Sequence, residues 1–260
     1  MTQRLNRFDL QKLRTGLLPF KLHYFPTVGS THDHSLKLRD QGRLFAPSVV
    51  LTSKQTKGRG RGQSKWHSPP GVLTVTFCVI APEQMPPQLV PLVAGLCVAD
   101  TARLLGAADV KIKWPNDCWH FDEMGIARKL AGILCERRGG MDFIGIGLNV
   151  NLDPKKLTAA TRTPVTSIAK IAAPMSMPVR MTDALLALAR AINARLIRGE
   201  APTSQRTIKE CSDLDALRGK RVVVNDISGV ACGIDAVGRL LVKDDRGTLH
   251  RIISGTVNLA

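Results

Sequence analysis

The chain reads as short apolar, β-prone runs interrupted by two long helical periodicities. The runs Phe45–Thr52 and Val72–Ile80 carry the branched and aromatic residues of strands. From Gln88 to Leu105 the apolar residues recur at helical spacing and stop at Gly106, a natural C-cap, which predicts the main core-packing helix. A strand follows over Val110–Trp114, ended by Pro115, and the Asn116-Asp117 pair begins a turn where a strand meets a cleft. Trp119–Phe121 and Ile126–Glu136 form the arms of a hairpin closed around 122–125, and Gly139-Gly140 turns the chain into a strand over Phe143–Asn151. The glycines of that strand predict close approach by a ligand or by another backbone, with packing on the main helix as an equal explanation.

Residues 152–165 read as a loop. The segment Asp183–Ile197 is an amphipathic helix, with Thr182 as its cap and Gly199 as its end, and a shorter helix spans Gln205–Glu210. Near the N-terminus, a short lead-in precedes a helix that starts at Ser30 or Thr31, carries Asp33 in its first turn and stops at Gly42. From Leu217 onward come five short runs with glycine punctuation: Arg221–Asn225, Gly229–Ile234, Leu240–Lys243, Leu249–Ile253 and Val257–Leu259. Their number and spacing predict a small separate β-barrel.

Between the first two strands hangs the stretch Gln55-Thr56-Lys57-Gly58-Arg59-Gly60-Arg61-Gly62-Gln63-Ser64-Lys65-Trp66. Alternating glycines and arginines bring backbone N–H groups and guanidinium forks onto one polyanion, which suits a nucleotide phosphate. Neither G-x-x-x-x-G-K-[ST] nor a strand-borne G-x-G-x-x-G is present, so P-loop and Rossmann readings lose support.

Charge sharpens this picture. The net charge is +16, and residues 1–65 hold 13 Lys and Arg against 3 Asp and Glu. Such a field favours a nucleotide, an acidic protein or nucleic acid, and does not choose among them. The six cysteines form no C-x-x-C pair, and several sit in apolar runs, which predicts buried free thiols in a reducing compartment. His32 and His34, two residues apart and without a third ligand nearby, read as surface residues. With 260 residues, no apolar stretch of membrane-spanning length and no apolar signal core, a cytoplasmic globular protein is expected, made of one large domain and at most one small one.

Taken in order, Ser30-Thr31, Q-T-x-G-R-G-R with Trp66, K-W-P-N-D at Lys113–Asp117, R-K-L-A-G-I-L-x-E at Arg128–Glu136, I-G-I-G-L-N-V-N at 144–151 and the C-terminal G-x-x-x-G-I-D-x-x-G-x-L resemble biotin protein ligases over about residues 15–260. The resemblance implies an α+β fold: a mixed sheet like that of class II aminoacyl-tRNA synthetases, with helices mainly on one face, spanning 1–212, and a Src-homology-3-like barrel over 213–260. It implies two reactions, activation of biotin by ATP and transfer to a lysine of a biotin carboxyl carrier domain. It places Ser30, Thr31, His32, Gln55, Gly58, Arg59, Gly60, Arg61, Lys129, Gly132 and Gly145 at biotin. Arg59, Arg61, Trp66, Lys113, Asn116, Lys129 and Asn149 fall to ATP or the adenylate, with Mg2+ held mainly through the ATP phosphates and near Asn116. Arg59, Arg61 and Lys129 would be catalytic, and Asp117 would orient or deprotonate the incoming lysine.

This sequence departs from the family pattern at Gly62-Gln63-Ser64, where one glycine-arginine unit is lost. It also departs at His32, where Asn is usual, at Thr256, where Glu is usual, and in a longer hairpin before Lys129. Only 29 residues precede Ser30, so no operator-binding domain is expected, and a homodimer is left open. The readings weighed against this one are a lipoate or octanoate ligase or transferase, and a basic nucleic-acid-binding protein. Against the second stand 4% aromatics and no series of base-stacking positions.

Overall fold

The computed structural model describes residues 5–157, 163–172, 179–198 and 205–260. Its frame is a seven-stranded mixed sheet ordered β1-β2-β3-β7-β6-β5-β4. The strands are β1 (Lys21–Val28), β2 (Ser48–Gln55), β3 (Val72–Val79), β4 (Val110–Lys113), β5 (Asp117–Phe121), β6 (Ala127–Arg138) and β7 (Met141–Asn149). Only β1 and β2 run parallel; every other pairing is antiparallel.

The two-residue period of the strands sorts the side chains onto two unlike faces. One face presents Val49 and Leu51, Leu73, Val75 and Phe77, and Ile144, Ile146 and Leu148 to the main core. Helices cover it: Leu10–Gly16 (α1), the long helix Val90–Leu104 (α3) and Met181–Ile192 (α5), which follows the short helix Ile168–Ala172 (α4). Helix α3 is apolar nearly all round because it is sandwiched between the sheet and α5.

The second face is covered only in part, by Thr31–Asp40 (α2). Under that helix lies a smaller cluster of Leu38, Leu44, Val50, Cys78, Met141 and Phe143. Helices therefore lie on both faces, most of them on one, and α2 leaves the middle of its face open.

A second, antiparallel sheet of five strands is ordered β11-β10-β9-β8-β12: β8 (Arg221–Val224), β9 (Ile227–Ile234), β10 (Leu240–Lys243), β11 (Leu249–Ile252) and β12 (Asn258–Leu259). Its inward residues Val222, Val224, Ala231, Leu240 and Val242 join the same apolar cluster as the large sheet. The backbone of Ile112 bonds to Leu214 and Ala216, and the buried Trp114 indole donates to the Gly238 carbonyl at 3.0 Å.

Several expectations are corrected. His32 is buried, and His34 is half-buried with its ring 4.3 Å from that of Phe25, so neither is a plain surface residue. The two leave α2 on different sides: His32 packs over β7 and His34 against Phe25 of the edge strand β1. Thr182 does not cap α5: the helix follows Arg180 without a side-chain cap, and the Thr182 hydroxyl accepts the Asp9 N–H. That helix ends at Ile192 in a π-turn over Asn193–Ile197, while Gly199 lies outside the described residues. The short lead-in holds α1 and β1. Cys78, Cys97, Cys118 and Cys211 are buried free thiols as expected, but Cys232 is exposed. Among the described residues no helix is long and apolar enough to cross a membrane.

Trp114→Phe removes the bond to Gly238 and opens space in a full core. It should cost about 2 kcal/mol, read as a lower urea midpoint with unchanged slope; an unchanged midpoint would show that this contact carries no weight.

Candidate active site

The open part of the α2 face is floored by residues without side chains. The register lines up Thr52, Thr74, Gly147, Gly132 and Asp117 across five neighbouring strands. The next row on the same face is Val50, Thr76, Gly145 and Leu134. Gly132 of β6 therefore lies beside Gly147 of β7, with Gly145 in the next row, and together they leave a flat floor.

A bulge puts a lysine beside that floor. In the β5–β6 pairing, Cys118 faces Ala131 while Trp119 faces Lys129, so Leu130 is the extra residue. Leu130 and Ala131 both bury into the main core. Lys129 and Gly132, three apart, can then line one cavity, which strict alternation would forbid. That cavity, of about 190 Å³, is bounded by α2, the glycine-arginine loop, the β5–β6 hairpin and, from the C-terminal module, Gly255 and Thr256.

At its α2 end the polar groups are bonded to each other. Ser30 caps α2 by accepting the Asp33 N–H. Gln55 accepts the Thr31 N–H at 2.9 Å, and the Thr76 hydroxyl donates to that of Thr31 at 3.0 Å. Gly58 is required where it stands: a Cβ there would lie 2.2 Å from the Trp66 carbonyl oxygen and 2.6 Å from Gln55 Nε2. The imidazole of His32 covers Gly145, whose Cβ would lie 3.1 Å from Nδ1. Burial, with Arg59 second, holds this ring below the ordinary histidine range, against the opposing pull of Glu136 and Asp33.

The centre is electropositive. Lys129 Nζ lies 2.7 Å from Asp117 Oδ1. Lys113 is buried, and desolvation lowers its pKa; Asp117 opposes this, while Lys129 and Arg61 add to it. Arg61 is likewise lowered by burial. One carboxylate thus serves three cations, which leaves a net positive site for an anion. The two loop arginines rest on protein groups: Arg59 on Asp33 at 3.2 Å and Glu136 at 3.4 Å, and Arg61 on the Gly255 carbonyl.

Trp66 divides the space. Its indole lies flat on the glycine floor, and a Cβ would meet it at 2.1 Å from Gly147 and at 2.9 Å from Gly132. The ring also borders a second cleft of about 610 Å³, which Asn149 lines from β7. Asn149 donates to the Thr166 carbonyl at 2.9 Å, but its Oδ1 has no partner among the described residues, and neither has Trp66 Nε1. Asn116 spends its amide N–H on the Ile133 carbonyl at 2.7 Å.

The structure brings nearly all of the expected residues to this cavity and the adjoining cleft; Gly58, within the loop, packs against Trp66 and Gln55 instead of lining the cavity. Of the residues that sequence reasoning did not assign, Gly147 and Gly255 are among those lining the cavity, and Asp33 and Glu136 hold Arg59. Gly147 was legible in the alternating glycines of β7. Asp33, read only as a first-turn acid, and Gly255 become site residues only through tertiary contacts.

Comparison with known proteins agrees with the architecture. A family model described as the biotin/lipoate A/B protein ligase family matches residues 24–153, and one for the biotin protein ligase C-terminal domain matches 219–259. The bifunctional ligase/repressor BirA of Salmonella typhimurium is 27% identical over 260 residues, covering 96% of this chain and 78% of that protein. BirA of Bacillus subtilis is 27% identical over 258 residues, covering 95% and 76%. The structure of biotin protein ligase from Aquifex aeolicus in complex with biotin and ATP superposes with a TM-score of 0.75 at 24% identity, covering 92% of this chain and 98% of that one.

Gly147→Ala should push the Trp66 indole off the floor and shift its fluorescence to the red; emission identical to the parent would contradict the packing. His23, His32 and His34 are all held low, first by burial and then by neighbouring cations. The unfolded chain takes up these protons near pH 6.5 and the folded chain only below it. The stability they contribute is complete above that pH and is lost as the pH falls through the depressed values. The melting temperature should drop between about pH 7 and pH 5, less steeply in His32→Asn, and a flat profile would contradict the assignment.

Proposed function

Because the chain belongs to the biotin/lipoate A/B protein ligase family, we propose that it activates biotin with ATP to biotinyl-5′-AMP and then transfers biotin to a lysine of a biotin carboxyl carrier domain. The observation that carries this reading is the pairing of a flat glycine floor with a cluster of three cations around Asp117. A thin heterobicyclic acid fits the first, and the phosphates of ATP fit the second.

In the first step a biotin carboxylate oxygen attacks the α-phosphorus. The bond from that phosphorus to the bridging oxygen breaks, and pyrophosphate leaves with the electron pair. Two anions must approach each other, so the protein's task is to neutralise charge and hold the geometry. Lys129 is placed to bond both the biotin carboxylate and the phosphoryl oxygen attached to it, exchanging its contact with Asp117 for the ligand. Arg59, Arg61 and Lys113 neutralise the remaining phosphate charge. Thr31 and Gln55, already bonded to each other, and Ser30 beside them take the ureido ring at the α2 end, with His32 and Gly145 next to it.

Trp66 would leave the floor as the ligand enters and pack against the adenine in the adjoining cleft, with Asn149 beside it. Among the described residues no group of three or more His, Cys, Asp or Glu could hold a metal ion. A Mg2+ would arrive on the ATP phosphates, and Asn116, whose amide N–H is spent on Ile133, would meet its hydration shell through Oδ1.

In the second step a neutral lysine amine attacks the mixed-anhydride carbonyl, the carbon–oxygen bond to phosphate breaks, and AMP leaves. Asp117, freed by Lys129, is placed to orient that amine and take its proton.

Biotin-dependent ATP–pyrophosphate exchange tests the first step without an acceptor protein. Exchange with biotin is expected, with none from lipoate or octanoate, and Lys129→Ala should reduce it about 100-fold or more. Exchange with lipoate instead would move the chain to the other branch of the family.

A further inference from the structure

Glu136 has no part in the chemistry above, yet it stands between two groups that do. It lies on β6 two residues beyond Leu134, on the cavity face, opposite Phe143 of the α2-side cluster. One of its oxygens, Oε2, lies 3.5 Å from His32 Nε2 and 3.4 Å from Arg59 Nη2. His32 closes the α2 end of the slot over Gly145, and Arg59 belongs to the loop that brings charge to the phosphates. On the other side of the guanidinium, Asp33 takes Arg59 Nε at 3.2 Å.

As a stability device this arrangement is weak. The Glu136 and Arg59 side chains are 41% and 43% exposed, and ion pairs that open to water contribute little to folding. What two carboxylates do achieve on one fork is direction. The loop backbone is tied to itself by the Arg59–Lys65 bridge and by the Trp66 N–H on the Gly58 carbonyl, so it fixes where the Arg59 side chain begins, while the direction of the long guanidinium arm is set by its two carboxylate partners.

We propose that Glu136 is a positioning residue for the adenylation step: through one shared oxygen it holds the His32 imidazole at the closed end of the slot and aims Arg59 at the phosphate region. By accepting a hydrogen bond from His32 Nε2–H, it leaves Nδ1, which has no partner among the described residues, facing Gly145. A ligand that fills the slot to its end meets His32, and the same carboxylate passes that contact to the arginine. This rests on the biotin-and-ATP reading of the cavity.

Glu136→Gln keeps the shape and removes the charge at a half-exposed position, so folding is preserved. In the exchange assay the KM for ATP should rise about tenfold, with kcat changed far less. In an Arg59→Ala background the same substitution should add less than about a twofold change, because the residue through which it acts is gone. Loss of the carboxylate should also move the His32 ring titration, followed by NMR, to lower pH. An unchanged KM for ATP, an equal loss in the Arg59→Ala background, or an unmoved His32 titration would overturn the proposal. If the parent protein shows no biotin-dependent exchange, the functional reading fails, and the His32 titration still decides whether Glu136 holds that ring.

Discussion

The structure depends on the absence of side chains in the middle of a sheet. Gly132, Gly145 and Gly147 sit where β6 and β7 pair, at positions that a β-propensity argument would fill with branched residues. Glycine there gives up packing and adds chain entropy to be lost on folding. In return, rings can lie directly on the backbone, as His32 does over Gly145 and Trp66 does over Gly147 and Gly132. The other face of the same strands compensates with an unbroken row of buried Ile144, Ile146 and Leu148 against the main core. One strand is thus asked to be core on one side and empty on the other, and the two-residue period makes both demands compatible.

The charges obey a similar division. Lys113, Lys129 and Arg61 share a single carboxylate at a site where desolvation already works against cations. Such an excess is costly without an anion and is offset when one binds. In the resting state the excess is relieved by parking: Lys129 on Asp117, Arg59 on Asp33 and Glu136, Arg61 on a backbone carbonyl.

Much of this was legible beforehand, for identifiable reasons. The main helix, the hairpins and the five C-terminal strands declared themselves because period, caps and glycine turns agreed over each segment. Strand β1 did not, because Lys21–Val28 carries Pro26 and is half exposed along an edge, so its alternation is blurred. The seven-residue α1 is anchored by Leu13 and Leu17, too few for a period to show. His32 looked like a surface residue because two histidines at i and i+2 carry no directional signal until the helix is docked. In the site, the loop and motif residues were legible one by one. The bulge at Leu130, which turns Lys129 and Gly132 to the same cavity, was not, since nothing local distinguishes an extra strand residue from a regular one.

The small C-terminal sheet completes the enclosure instead of standing apart. Its inner residues belong to the main core, Trp114 of the K-W-P-N-D turn is bonded into its Gly238 turn, and Gly255 and Thr256 reach the cavity itself. The anchor and the rim are therefore two ends of one rigid connection: the turn that presents Asn116 and Asp117 is fixed by the same module whose carbonyl holds Arg61. The glycine-arginine loop closes on itself through the Gly60 N–H on the Ser64 carbonyl and the Trp66 N–H on the Gly58 carbonyl. Its arginine side chains are held from outside, Arg59 by carboxylates on the α2 side and Arg61 by a backbone carbonyl on the other, and the cavity lies between those two attachments.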